Sequence, residues 1–590
     1  MRVPEAPVLP ASAPLRWHRV AEIPDLSGDR PVGVSVGGSE LVLVRIGETV
    51  RAYEGRCPHQ GTLLAEGEIE DGAVVCRAHQ WRFDCRDGRR LGAPGGLRSF
   101  PVRRDHDGGL WVGLGETAGT AAAAETPAVH ADRLAGPRGL PLIGNLHQIQ
   151  RTAFHLSLEH WADRYGPLYA FRFGRRVMAV VSDAELANAV LRARPDEFRR
   201  SSQLERVSVL GVSTRGIFMA EGDRWRRQRP VVAQSLDTGH LRQFFPTLVK
   251  VTRRLQRRWQ ADGGGGRDVQ SDLMRFTVDV TASLAFGQDI NTQEQEGEVI
   301  QQHLDKIFPT IQRRLLAPFP YWRWLRLPGD RDLARSVGRI YELIAEFVAA
   351  ARAQLAVRPQ LREHPENLLQ SLLVAAETDA AFDAREIADN VLTMLLAGED
   401  TTANSLAWTL YFMARHPEIQ ERMHAEVATV TGGGELATFA QTRELPYADA
   451  VINEAMRLKP VAPLNILEAN RELRIGGLQL RKGDAVAILS RAIARRETAE
   501  PQRFDPERWL RAEGEGGRRT VNPRSFLPFG AGPRLCPGRS LALLEMKVVL
   551  AMVARRFRVE AACDLDQVTE RLAFTMSPCG LRLRLISRPG

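Results

Sequence analysis

The chain has 590 residues, 44% of them hydrophobic, which suffices for several packed domains of about 150 residues each. Six cysteines in this length exclude a disulfide framework and suit a reducing compartment. The net charge of +9 lies beyond residue 115, since residues 1–115 hold 15 Arg, no Lys and 15 acidic residues, and no basic run is interleaved with aromatics, so no nucleic acid is expected as partner.

Met1 to Leu15 alternates prolines with small residues and has no apolar core of signal-peptide length. No stretch of about 18 apolar residues occurs, so no membrane span and a cytoplasmic location are expected. Pro31 to Tyr53 reads as strands: Val32, Val34 and Val36 alternate with small residues, Gly37-Gly38 marks a hairpin, and Leu41 to Ile46 is a second apolar run. Then come Cys57-Pro58-His59, sixteen residues, and Cys76-Arg77-Ala78-His79. Two Cys and two His in paired short spacings can hold zinc or an iron–sulfur cluster. These spacings, with Gln80-Trp81-Arg82-Phe83-Asp84 after them and Gly95-Gly96-Leu97 downstream, resemble the Rieske [2Fe–2S] family across residues 1–115. The resemblance implies that Cys57 and Cys76 hold one iron and His59 and His79 the other. Thr62 and Ala78 stand where high-potential members carry a disulfide, and Trp81 where they carry a hydroxyl. With fewer hydrogen bonds to the sulfurs, the cluster is expected near the bottom of the Rieske range, roughly −150 mV, as in ferredoxins that feed oxygenases. Cys85 fits neither pattern and reads as a buried thiol.

Residues 116–135 read as a linker, with Ala121 to Ala124 among Gly, Thr and Glu. Gly113-x-Gly115-x-x-x-Gly119 is one residue too long for a dinucleotide loop, and no βαβ unit follows. The prolines of Gly136 to Asn145 stiffen the entry to residues 136–590.

In that region Tyr169 to Val181 alternates as strands do. Arg206 to Met219, apolar with Gly211 and Gly216, is expected to be a lid. Trp225 and Arg229 are spaced i, i+4 and face one way on a helix. Gly263 to Gly266 separates two helices. Asp383 to Arg415 forms one long helix, with Asp383 and Glu386 as a capping box and Ile387, Val391, Met394 and Leu395 at helical spacing. Inside it, Ala397-Gly398-Glu399-Asp400-Thr401-Thr402 is a poor helix interior, so a functional distortion is expected. Glu454-x-x-Arg457 pairs along one helix face. Phe504-Asp505-Pro506-Glu507-Arg508-Trp509 follows in a loop. Finally, Cys536 sits in a glycine-rich loop before the apolar run Ser540 to Val553, and Pro537 suits the first helical position. Backbone N–H groups and the helix dipole there stabilise a thiolate, and a thiolate can hold haem iron.

Phe529, Gly532, Arg534, Cys536 and Gly538 match a haem-binding signature position by position, and from about Gly136 the chain resembles a cytochrome P450. The resemblance implies heme b with Cys536 as axial ligand, within a frame of Phe529, Gly532 and Gly538. It implies propionate contacts from Trp225, Arg229 and Arg534. Asp400 would relay protons, and the Thr401 hydroxyl would hydrogen-bond dioxygen. Glu454, Arg457 and Arg508 would form a structural triad. Val461 to Asn465 would line the pocket, and Glu468 stands near the place of an expected arginine.

The expected architecture is a small all-β Rieske domain followed by a mainly α P450 fold. The expected activity is O2-dependent monooxygenation of a hydrophobic small molecule, with electrons passing through the cluster. No flavin or nicotinamide fold is visible, so an NAD(P)H-dependent ferredoxin reductase is the expected partner. A haem and iron–sulfur sensor or electron carrier is the alternative, though a sensor needs an output domain. A Rieske non-haem oxygenase would use His155 and His160, but the acid expected before them is Thr152. A peroxide-driven enzyme would lack the Asp400–Thr401 pair.

Overall fold

The computed structural model describes residues 15–588, apart from 21–25, 27–29, 37–38, 59–61, 78–80, 93–94, 106, 108, 116–127, 175, 209–214, 262–264, 296–299, 318–320, 326, 380–381 and 511–520. An all-β part comes first. Val32–Val36, Ser39–Ile46, Thr49–Glu54 and Ser99–Phe100 form a four-stranded antiparallel sheet in that order. Leu41 to Val44 are all buried because both faces of this sheet are covered. Val42 and Val44 pack with Val74 and Phe83, while Leu41 and Leu43 pack with Leu110 and Val112 on the other side. That is why the run is continuously apolar rather than alternating. A second sheet, Glu68–Glu70, Ala73–Val75 and Arg82–Asp84, carries Cys76 just past the end of its middle strand. Its first turn is Asp71-Gly72, both at positive φ (49° and 73°), as a two-residue hairpin of the right twist requires.

Residues 116–127 lie outside the described residues. Val129–His130, within the stretch read as linker, pairs in parallel with Leu478–Leu480 of the following part.

That part is mainly helical. The long helix runs Ala384–Arg415 through its core, against Val269–Phe286, Pro446–Leu458 and Arg539–Arg556. Asp383 caps it by accepting the Glu386 N–H at 2.7 Å. The carboxylate of Glu386 turns instead to Arg224 at 2.8 Å, so the capping box is half formed. A Cβ on Gly398 would lie 2.1 Å from Thr281 Oγ1, so only glycine lets these two helices approach this closely. A five-stranded sheet lies to one side, in the order Leu168–Phe173, Arg176–Val181, Ala485–Leu489, Leu464–Ala469 and Phe198–Arg200. None of the described helices is long and apolar enough to cross a membrane.

Glu454 is fully buried and accepts from Arg457 at 2.8 Å, from Arg508 at 2.9 Å and from the Trp509 indole at 2.9 Å. Glu454→Ala would strand both cations, and is expected to cost about 3–5 kcal/mol. A thermal melt that leaves the helical part unchanged would contradict this.

The two parts pack together. Arg30 pairs with Asp237, Glu68 accepts the Thr238 N–H at 3.0 Å, and Arg56 donates to the Arg192 carbonyl at 3.0 Å. Leu535 and Phe529 join the apolar cluster around Cys57, Cys76 and Phe83. The β domain therefore sits on the loop that holds Cys536.

Candidate functional site

The Cys536 loop is shaped by its glycines. Gly532 has φ 71°, and a Cβ there would sit 2.6 Å from the Leu191 carbonyl oxygen. The Cys536 N–H donates to the Phe529 carbonyl at 3.0 Å. Gly538 caps the Arg539–Arg556 helix, so Pro537 lies before the helix rather than in its first turn. Its carbonyl is thereby left to accept from Arg77 of the β domain. Burial pushes the Cys536 thiol up, against the Gly538 N–H and the charges of Arg229, Arg77 and Arg539. The helix terminus alone does not outweigh burial. A bound metal ion would, since coordination deprotonates a thiol.

Trp225 and Arg534 meet, with the guanidinium 4.7 Å from the ring centroid. Arg534 donates to the Ala220 carbonyl at 2.6 Å and lies beside Glu221. Arg194 is 3.6 Å from the same carboxylate. Arg200 donates from Nε to the Phe218 carbonyl and stacks 3.5 Å over that ring. Burial, then the charge of Arg534, pull Arg194 down to about 10. Arg200 is lowered by burial and by both of the others. Glu221 is the acid these three share, and the Nε atoms of Arg194 and Arg534 are buried without a hydrogen-bond partner among the described residues. An excess of buried, partly unsatisfied guanidinium fits the two carboxylates of a haem.

Arg229 points elsewhere. It forms a bidentate pair with Glu66 at 2.7 and 2.6 Å and donates to the Leu535 carbonyl at 2.8 Å. The helical spacing put Trp225 and Arg229 on one face, but an acid from the other domain draws the long arginine away. Arg194 and Arg200 are missed by the sequence reading. Glu468, near the place of the expected arginine, accepts the Ser202 N–H at 3.0 Å. Arg200 stands on the adjacent strand, paired with Leu467.

On the long helix, Thr401 Oγ1 donates to the Ala397 carbonyl at 2.7 Å, and Thr277 Oγ1 donates to the Glu399 carbonyl at 2.8 Å. The helix stays continuous, and the expected distortion is confined to these hydroxyl-bonded carbonyls. Asp400 accepts from Asn404 at 2.9 Å and from Thr575, and burial pushes it up to about 6. Glu399, 2% exposed, is raised well above the carboxylate range by burial and then by Asp305 and Asp400. Next to Thr575, Phe574 adopts φ 80° and stacks on Phe308 at 4.8 Å, with Phe218 edge-on at 5.9 Å. The lid expectation falls partly on residues 209–214, outside the described residues. Its far end is pinned, with the Ile217 N–H on Asn390 at 2.9 Å.

The two cysteine loops of the β domain are closed alike. Cys57 N–H donates to the Thr62 carbonyl and Cys76 N–H to the Trp81 carbonyl, each at 2.8 Å and each five residues on. Both cysteines are buried. Thr62 Oγ1 is buried without a hydrogen-bond partner among the described residues, as suits a hydroxyl left to serve a cluster sulfur. His59 and His79 lie outside the described residues. Trp81 carries Arg90 at 3.3 Å over its ring. Cys85 is buried, and burial raises its thiol.

His155 is not open for a metal in the manner of a non-haem centre. Its Nε2 meets Glu570 at 2.7 Å, and Glu570 also binds Arg491 at 2.7 Å.

A family model described as cytochrome P450 matches residues 134–583, and one described as Rieske [2Fe-2S] domain matches residues 16–101. Among curated proteins, the chain is 26% identical over 462 residues to protein LUTEIN DEFICIENT 5, chloroplastic, of Arabidopsis thaliana, covering 75% of this chain and 76% of that one. It is 29% identical to cytochrome P450 2W1 of Mus musculus, covering 77% and 92%, and 30% identical to cytochrome P450 734A5 of Oryza sativa subsp. japonica, covering 68% and 75%.

Proposed function

The chain belongs to the cytochrome P450 family, with a Rieske [2Fe–2S] domain towards its N-terminus, and is a haem monooxygenase; we propose that its electrons arrive through that Rieske domain and that its substrate is a hydrophobic small molecule. The observation that carries this reading is the seating of the Cys76 loop on the Cys536 loop, with Arg77 bonded to Pro537. A donor held against its acceptor acts at a high effective concentration, and here the Rieske domain covers the Cys536 loop.

Cys57, His59, Cys76 and His79 hold the cluster. Cys536 holds the haem iron within the frame of Phe529, Gly532 and Gly538. Trp225 and Arg534, joined by Arg194 and Arg200, receive the propionates, whereas Arg229 serves the domain contact. Haem with a thiolate ligand supplies oxygen activation, in which two electrons and two protons send one oxygen atom of O2 to the substrate and the other to water. The protein's task is to deliver those protons and exclude others. Asp400, near pKa 6, can hold a proton at Oδ and give it up close to neutrality, as a relay acid should. Thr401 offers its Oγ1 hydroxyl one residue away and can release its bond to Ala397 to do so. Phe218, Phe308 and Phe574 supply an apolar wall beside that relay, suited to a hydrophobic substrate. A Rieske domain passes electrons but does not take hydride from a nicotinamide, so in this reading an NAD(P)H-dependent ferredoxin reductase feeds it.

Thr401→Ala tests the relay. The variant is expected to keep the haem and to consume NADH, but to divert most reducing equivalents to peroxide. The measurement is the ratio of peroxide formed to O2 consumed, with a ferredoxin reductase supplying electrons. A ratio equal to that of the unaltered protein removes Thr401 from oxygen activation.

A further inference from the structure

Arg77 directly follows Cys76, yet its guanidinium bonds the other domain. Nη1 donates to the Ala233 carbonyl at 3.2 Å, and Nη2 to the Leu236 carbonyl at 3.2 Å and to the Pro537 carbonyl. Ala233 lies in the last turn of the Gly222–Gln234 helix, where freed carbonyls favour a cation. Pro537 is the neighbour of Cys536. The second contact across this seam is different in kind. Arg229 is held by Glu66 in a buried bidentate pair, so a carboxylate in direct contact offsets much of its charge. Arg77 has three carbonyl partners and no carboxylate in ion-pair contact among the described residues. Glu66 and Asp237 act on Arg77 only from a distance, so docking brings a guanidinium with no carboxylate in direct contact to the peptide beside Cys536.

We propose that Arg77 is a positioning residue shared by the two cofactor loops, and that by seating it beside Cys536 the Rieske domain raises the reduction potential of the haem as well as supplying its electron. This rests on the reading of Cys536 as the haem ligand. Adding one electron to the haem–thiolate unit makes it more negative by one charge, and a fixed cation on the adjoining peptide favours that state. The same low-dielectric seam keeps the effect from being screened. The effect is reciprocal: if docking favours the reduced haem, reducing the haem tightens docking by the same factor. One electron leaves the reduced Rieske domain for each one the haem gains, no proton moves, and the NAD(P)H-dependent reductase restores the donor.

The test is a reductive titration of the intact chain with redox mediators, following the haem absorption, on the unaltered protein, Arg77→Gln and Arg77→Lys. At a fixed poised potential near the midpoint, Arg77→Gln is expected to show a several-fold lower ratio of reduced to oxidised haem. Arg77→Lys, which keeps the charge, is expected to restore most of it. Where Arg77→Gln fails to retain its cofactors, Arg77→Met, which keeps the packing of the stem, carries the same expectation. A ratio unchanged in the neutral variants overturns the proposal, and so does an equal fall in Arg77→Lys, which would assign the effect to geometry rather than charge. Mediators deliver electrons to the haem whatever its natural donor, so this result stands apart from the route of electron entry, which cluster loss tests separately.

Discussion

Cys536→Ser is expected to abolish the thiolate-type absorption of the reduced carbon-monoxide complex and to bring monooxygenation to background. Serine is nearly isosteric, so the N–H bond to Phe529 and the fold of the loop should survive. The haem should still be held by the guanidinium cluster of Arg194, Arg200 and Arg534 around Glu221. What is lost is the soft, electron-rich sulfur that pushes density toward O–O cleavage. The comparison is therefore a loaded protein with an altered spectrum, not an unfolded one. Persistence of the thiolate-type band in Cys536→Ser would place the ligand elsewhere.

Cys76→Ala should have the next largest effect. It removes one of the two buried cysteines of the paired loops and with it the cluster, while leaving Arg77 and Glu66 to hold the domains together. In the intact chain, reduction of the haem under carbon monoxide with NADH and a ferredoxin reductase should be fast and independent of chain concentration. A tethered donor acts at an effective concentration of about millimolar, so at micromolar protein its loss should slow haem reduction on the order of 10²–10³-fold. Glu66→Gln, which keeps the cluster but weakens the clasp on Arg229, should fall between the two. If Cys76→Ala is reduced as fast as the unaltered chain, electrons enter the helical domain directly, and the cluster has another role.

Much of the candidate site was legible because it is local. The Cys536 loop is a glycine-spaced frame within ten residues, and its conformation follows from positive φ at Gly530 and Gly532. The Cys57 and Cys76 loops repeat one closure, a bond to the carbonyl five residues on, so their likeness appears in the spacing. Asp383 caps the long helix as its position announced. Pro537 was misplaced by a local rule: it suits a first turn, but Gly538 takes the cap and the helix starts after it.

The parts that failed to show themselves are long arginines with distant partners. Arg229 and Glu66 are 163 residues apart in the chain, and Arg77 and Pro537 are 460 apart. A guanidinium on a flexible stem takes its direction from whichever acceptor faces it, and helical spacing says only from which side it starts. Arg200 escaped for a related reason: the strand expected to carry an arginine carries Glu468, and its neighbour in the sheet supplies the cation instead. The sequence by itself determined the two families and the cofactors they imply, and it pointed to the Asp400–Thr401 pair proposed as a relay, since each is a short pattern whose geometry is set by nearby backbone. Only the tertiary structure decided that the β domain sits on the Cys536 loop, that Glu66 claims Arg229, and that Arg77 bonds the Pro537 carbonyl. Those outcomes depend on the packing of apolar surface around Leu535 and Phe529, which brings together residues that no spacing along the chain relates.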